Sequence, residues 1–167
     1  MTSCSTSSPE KENKLVDTLS VQPSPNDNPK VEVTISLSDT TIKNSEKIFL
    51  NITVTNESSI IQRLLFDNPR TGTGGPWATS ATVIDNKTNK TILKYQNKAV
   101  LSSQLYTEKQ LKDKYYNLNP KQSINGTYEL SDIVVFNTVD NKLPKGNYTI
   151  QLFYYHNISN RLTLTIK

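Results

Sequence analysis

The chain has 167 residues, room for one β domain or a small α/β domain plus a tail, but not for two full domains. Leu, Ile, Val and Phe number 43 and Thr 20, against three Ala, which excludes both a wholly disordered chain and a helical bundle. One Cys and one His exclude a disulfide framework, a zinc finger and a His-rich metal site, and no stretch reaches the ~18 apolar residues of a membrane-spanning helix.

The formal charge of +4 is unevenly spread. Between Lys87 and Lys121 eight Lys stand against Glu108 and Asp113, which leaves the remainder net negative. Lys outnumbers Arg 16 to 3. Nucleic-acid readers favour Arg for bidentate contacts, so no nucleic-acid partner is expected. The Lys run reads as a solvated face or as a surface for an acidic partner.

Residues 1–30 carry Pro9, Pro23, Pro25 and Pro29 among Ser, Asn, Lys and Glu. Only Leu15, Val16, Leu19 and Val21 are sizeable apolar residues past the first few, too few to offset the entropy of ordering. The segment is expected to be a disordered tether. Thr2-Ser3-Cys4 resembles the end of a bacterial lipoprotein processing site, with Met1 where an aliphatic residue normally stands. A Ser-rich run, a Pro-containing spacer and a β-patterned domain follow, in the order of a mature lipoprotein. The resemblance implies a diacylated Cys4, and two acyl chains give stable membrane anchoring. It also implies a bacterial cell-envelope address. No basic-plus-apolar signal segment precedes Cys4, so Met1 is expected to be an artificial start. The alternative is a chance thiol in a cytosolic tail. About 26 spacer residues span roughly 30 Å as a coil.

From Val31 the pattern has period two. Val31, Val33, Ile35 and Leu37 alternate with polar residues, as do Ile48, Leu50, Ile52 and Val54. Ile60 to Phe66 is a third strand, with Ile60, Leu64 and Phe66 on one face and Arg63 on the other. Ala78 to Asp85 turns through Asn86 to Lys90 into Thr91 to Gln96, a hairpin. Thr107 to Lys114 suits one or two helical turns. Strands follow at Ser123 to Leu130, Ile133 to Phe136 and Thr149 to Tyr155, where Tyr148, Ile150, Leu152 and Tyr154 share a face. A turn from His156 to Arg161 leads to the last strand, with Leu162, Leu164 and Ile166. Eight or nine short strands without long helices predict an all-β, antiparallel sandwich over residues 31–167.

Leu143-Pro144-Lys145-Gly146-Asn147-Tyr148-Thr149-Ile150 resembles the approach to a late strand of bacterial immunoglobulin-like sandwiches. Leu118-Asn119-Pro120-Lys121-Gln122-Ser123 resembles a turn of the same group, with Lys121 in place of the usual Gly. Together with Leu50 to Asn56 the order is similar to the pro-domains of deuterolysin-like metalloproteases and to BsuPI-type proteinase inhibitors. The resemblance implies an immunoglobulin-like β-sandwich of about eight strands and, as one activity, proteinase inhibition.

Asp67 to Trp77 is the most distinctive loop, with three of the five Gly and the only Trp. It lacks the Gly-Lys-Ser/Thr of a phosphate loop. Arg70 and Trp77 suit a partner contact; the alternative is that Trp77 plugs the core. The basic connection Lys98 to Lys121 carries Lys109, Lys112, Lys114 and Tyr115, which suit a protein surface or an anionic glycan. These two long connections are expected to form the partner-binding surface if they meet at one end of the sandwich. His156 is expected to face solvent in its turn. No Gly-x-Ser-x-Gly is present and the acids are sparse, so no catalytic residues, cofactor or metal are expected; Asp39, Asp132 and Asp140 make at most an adventitious calcium site. A carbohydrate-active enzyme would need two carboxylates, or His156 and one carboxylate, in a deep cleft. Seven Asn-x-Ser/Thr sequons, including Asn51, Asn56 and Asn147, are expected by chance in so Asn-rich a chain.

Overall fold

The computed structural model of the chain describes residues 29–43, 46–66, 75–96 and 115–167. In chain order the described strands are β1 (Val31–Leu37), β2 (Thr41–Ile42), β3 (Phe49–Asn56), β4 (Gln62–Leu65), β5 (Thr79–Asp85), β6 (Lys90–Thr91), β7 (Leu93–Tyr95), β8 (Tyr115–Leu118), β9 (Ser123–Glu129), β10 (Val135–Phe136), β11 (Gly146–Tyr154) and β12 (Asn157–Ile166). One helical turn, α1 (Leu130–Ile133), precedes β10.

The alternation of side chains decides how these strands assemble. The long strands β1, β3, β5 and β11 each have one apolar face, which is stable only against another sheet. One sheet has the order β1-β3-β9 and the other β2-β12-β11-β5-β6, with β4-β8 and β7-β10 as short two-stranded additions. Val33, Ile35, Leu50, Ile52 and Val54 from the first sheet meet Val83, Ile150, Leu152 and Leu164 from the second in one core. Full burial of such side chains stabilises by about 1.5–3 kcal/mol each. The described residues form an immunoglobulin-like β-sandwich.

Two polar devices fix this arrangement. The Tyr148 hydroxyl donates to the Pro144 carbonyl at 2.8 Å, tying the start of β11 to the turn before it, as in the tyrosine corner of immunoglobulin-like domains. Burial, then the Asp85 carboxylate, pushes the Tyr148 phenol above its ordinary value, so it remains a donor. Between the sheets, the Asn160 amide accepts from Ile35 N–H at 2.7 Å and donates to Ile35 O at 3.0 Å. That side chain occupies the edge of β1 as a neighbouring strand would, and protects it.

The β5–β6 turn is held by Asp85, which accepts from Lys87 N–H at 2.8 Å and from the Thr88 hydroxyl at 3.1 Å. The Lys87 N–H bond is the main cause that holds the Asp85 carboxyl below its ordinary 3.8. A carboxylate with a depressed folded pKa contributes fully above its unfolded value and loses that contribution as pH falls through the folded one. The protection factors of the Lys87 and Thr88 amides, their exchange relative to the unstructured chain at the same pH, are therefore expected to fall only below about pH 4. Asp85→Ala should abolish that acid-dependent step; protection factors that do not change with pH in the wild type would contradict the assignment.

Several expected elements differ. Ile60 and Ile61 leave the third strand, which begins only at Gln62 and buries Gln62, Leu64 and Leu65. The buried Asn56 side chain takes up the backbone groups of the preceding loop, so Ile60 lies outside the ladder. The hairpin partner of β5 is irregular: Thr91 pairs with Ile84, but Leu93 and Tyr95 pair with β10. Leu130 to Ile133 coils into α1 because β9 ends there, which turns Leu130 and Ile133 both into the core. The last turn is Tyr155-His156, not His156 to Arg161, and β12 starts at Asn157. Tyr155 adopts φ +51° to make so short a turn, a conformation that non-glycine residues seldom signal in a sequence. Thr41 pairs in parallel with Thr165.

Candidate functional site

Of the expected partner contacts, Trp77 and Tyr115 belong to the described residues. Cys4, Arg70, Lys109, Lys112 and Lys114 lie outside them, as do the helical turns expected from Thr107 to Lys114. What the structure does place are the roots of the two long connections. Trp77 N–H donates to Phe66 O at 2.8 Å, which brings together the two ends of the first connection. Tyr115, where the second returns, is the register partner of Leu65, the residue before Phe66. Gln96, where the second departs, accepts from Ala81 N–H at 3.0 Å, close behind the start of β5. All four roots therefore lie at one end of the sandwich. The Tyr155-His156 turn joins them, since Tyr155 N–H donates to Ala78 O at 3.0 Å.

Local sequence explains how the first connection returns. Gly75 has φ +74°, and a Cβ there would stand 2.8 Å from Ile133 Cγ1. Only glycine fits both the backbone and the space. Ala78 also has positive φ, at 56°. Between them Pro76 is buried and Trp77 half-buried. Trp77 is not part of the core cluster. The centre of the core at this end is Phe66 instead, with Tyr116, Tyr128 and Tyr154 edge-on around it at 6.2–6.4 Å. Tyr154 donates its hydroxyl to Leu65 O at 2.6 Å. The roots thus stand on a rigid aromatic floor.

Tyr115 is half-buried, with the Arg63 guanidinium 5.0 Å from its ring centroid. Arg63 is a residue of this site that the sequence pattern assigned only to a strand face. The register partner of Arg63 is Asn117, two residues along from Tyr115, and this pairing is visible only once β4 and β8 are placed. Tyr95 and Tyr116, 44% and 36% exposed, add aromatic surface near the same roots. Tyr155 packs edge-on against Tyr154 at 4.8 Å.

The opposite end holds a shallow hollow of ≈ 190 Å³ lined by Glu46, Lys47, Glu129, Ser131, Asp140 and Lys142 among others. Pockets for small ligands usually exceed roughly 300 Å³. Both Glu129 oxygens are engaged, one by Lys47 at 2.7 Å and one by the Ser131 hydroxyl. The Glu129 carboxylate in turn raises the Lys47 pKa. His156 is exposed and separated from this hollow by the length of β12, so it and these carboxylates do not converge. Among the described residues no group of three or more His, Cys, Asp or Glu is arranged to hold a metal ion. Asn56, one of the sequons, is fully buried with its amide bonded, so it cannot accept a glycan in the folded domain.

No protein-family model and no curated protein matches the chain. Among solved structures it is similar to an alkylpurine DNA glycosylase of Pseudomonas fluorescens bound to DNA containing an abasic site analog, at 11% identity and TM-score 0.46, covering 83% of this chain and 31% of that one. It is also similar to a Listeria innocua beta-glucosidase in complex with glucose, at 11% identity and TM-score 0.42, covering 82% and 16%. A third is the CARDB domain of a Pyrococcus furiosus protein in complex with di-metal ions, at 13% identity and TM-score 0.37, covering 86% and 92%. The chain therefore spans well under half the length of the glycosylase and the glucosidase. At this level of similarity none of the three bears on what the chain binds or does.

Proposed function

We propose that the chain is a non-enzymatic accessory module of a bacterial cell envelope, anchored through an acylated Cys4. On this reading it binds a protein or an anionic glycan at the end of the sandwich where both long connections are rooted. The supporting observation is the shared root: Phe66 bonds Trp77, and Leu65 pairs with Tyr115. Arg70 then stands in sequence between Phe66 and Trp77, and Lys109, Lys112 and Lys114 between Gln96 and Tyr115. Cations and aromatic groups on one end suit a partner rich in carboxylates or sulfated sugars. A proteinase is one protein partner that the likeness to BsuPI-type inhibitors implies, and inhibition of a panel of purified proteinases reads that narrower possibility.

The test is capture from solubilised native membranes by the wild type and by Arg70→Ala/Trp77→Ala. Two hot-spot truncations are expected to weaken capture of the specific partner by about tenfold or more. The melting temperature of the double variant is read alongside, so that lost capture is not lost folding. Equal capture by a folded double variant would sink the reading. The anchor is tested separately: Cys4→Ser should move the protein from the membrane fraction to the soluble fraction.

A further inference from the structure

The loop between β3 and β4 presents its most apolar residues to solvent on a rigid frame. Ile60 is 64% exposed and Ile61 43%, although isoleucine is among the residues most often buried. The frame is Asn56. Its amide accepts from Ser58 N–H and from the Ser58 hydroxyl, and donates to the carbonyls of Ile60 and Leu118, all at 2.7–2.9 Å. Gln62 adds a bond to the Ser58 hydroxyl at 3.0 Å. A solvated turn needs no such frame, whereas a contact surface gains from being preorganised.

The N-terminal segment joins the domain at this same end. Asn157 holds Pro29 O at 2.8 Å, and Val31 pairs with Asn56. Lys30, Val31, Glu32, Glu57, Ser58 and Asn157 wall one open hollow. Ile158, which follows, is 59% exposed. Pro29 lies 25 residues after Cys4, a length that reaches about 25–30 Å as a coil.

We propose that this end of the domain lies against a lipid bilayer, with Ile60 and Ile61 seated at the boundary of headgroups and acyl chains. The inference rests on the reading of Cys4 as a membrane anchor. A bilayer held within that distance is present at an effective concentration on the order of millimolar. Shallow insertion of two side chains, too weak to hold a free protein, then suffices. The Arg63–Tyr115 pair at the same end suits the headgroup layer, where aromatic rings collect, and Lys30 stands there beside the acidic Glu32 and Glu57. A partner reached from the roots of the long connections is then met at the membrane surface.

The experiment imposes the anchor chemically. Cys4 is the only cysteine, so the full chain is coupled through it to maleimide lipid in nanodiscs of phosphatidylcholine and phosphatidylglycerol doped with a paramagnetic lipid. Isoleucine methyl signals are then read by NMR. Ile60 and Ile61 are expected to broaden severalfold more than Ile42 and Ile166 at the far end. In Ile60→Asp/Ile61→Asp the difference between the ends, read at Ile158 against Ile42, should disappear. Equal broadening at both ends of the wild type overturns the proposal. So does broadening of Ile60 and Ile61 that depends on protein concentration and not on the paramagnetic lipid, which marks a second copy of the chain as the occupant. End-selective broadening together with an unmodified Cys4 in cells would show a surface able to meet a bilayer but would overturn the proposal for the native protein, since nothing then holds the domain there.

Discussion

Asn56→Ala is expected to destabilise the domain by about 2–5 kcal/mol, a large fraction of what a domain of this size usually has. Asn56 is fully buried, and its amide closes the gap where β3 leaves the ladder before β4 and where β8 turns into β9. Lys121 N–H donates to its carbonyl at 2.7 Å, and its own N–H donates to Gln122 O at 2.9 Å. Truncation spares those backbone bonds but takes the amide donor away from Leu118 O in a buried position. It also frees Ser58 and Ile60, which water can reach in part. The cost is therefore dominated by one buried carbonyl plus the cavity. Urea unfolding should show a lower midpoint with an unchanged slope. A midpoint within error of the wild type would mean that the loop frame contributes nothing.

Tyr154 should show the second large effect, in two separable steps. Tyr154→Phe removes only the bond to Leu65 O, at an expected cost of about 1–2 kcal/mol. Tyr154→Ala also removes the ring that packs edge-on against Phe66 and Tyr155, and is expected to cost about 3–5 kcal/mol. Burial pushes the phenol far above its ordinary value, so the hydroxyl remains a donor throughout the alkaline range in which the fold survives. Because Phe66 O holds Trp77 N–H, loosening this floor should reach the only tryptophan. A red-shifted emission in Tyr154→Ala under native conditions, absent in Tyr154→Phe, is the expected signature. Emission unchanged in both variants would show that the aromatic floor and the root at Trp77 are not coupled.

The parts of the fold that were legible in the sequence are those where one local rule acts alone. β1, β3 and β11 alternate apolar and polar residues because each has one face on the core, and the run from Leu143 to Tyr148 carries its own corner bond. Where two rules compete, hydropathy misleads. Ile60 looks like a core residue, but Asn56 and Ser58 offer the backbone an alternative to the ladder, and the strand begins two residues later. Tyr155 looks like a strand residue, but a two-residue turn needs positive φ and takes it from whichever residue stands there. The gathering of the roots of both long connections was not legible at all. It depends on the pairing of Leu65 with Tyr115, and long-range register leaves no mark on either strand by itself. Trp77 and Tyr115 were identifiable by residue type, whereas Arg63 becomes part of the site only through that same register.

The claim on which the account turns is that partner binding belongs to the end carrying the roots and not to the far end of the sandwich. Site-specific photocrosslinking in native membranes addresses it directly. A benzophenone amino acid replaces Tyr116, exposed beside the root at Tyr115, or Thr88, exposed in the β5–β6 turn at the other end. The account predicts a discrete adduct from position 116 that Arg70→Ala/Trp77→Ala suppresses, and none from position 88. Adducts of equal yield from both positions, or from position 88 alone, would contradict it.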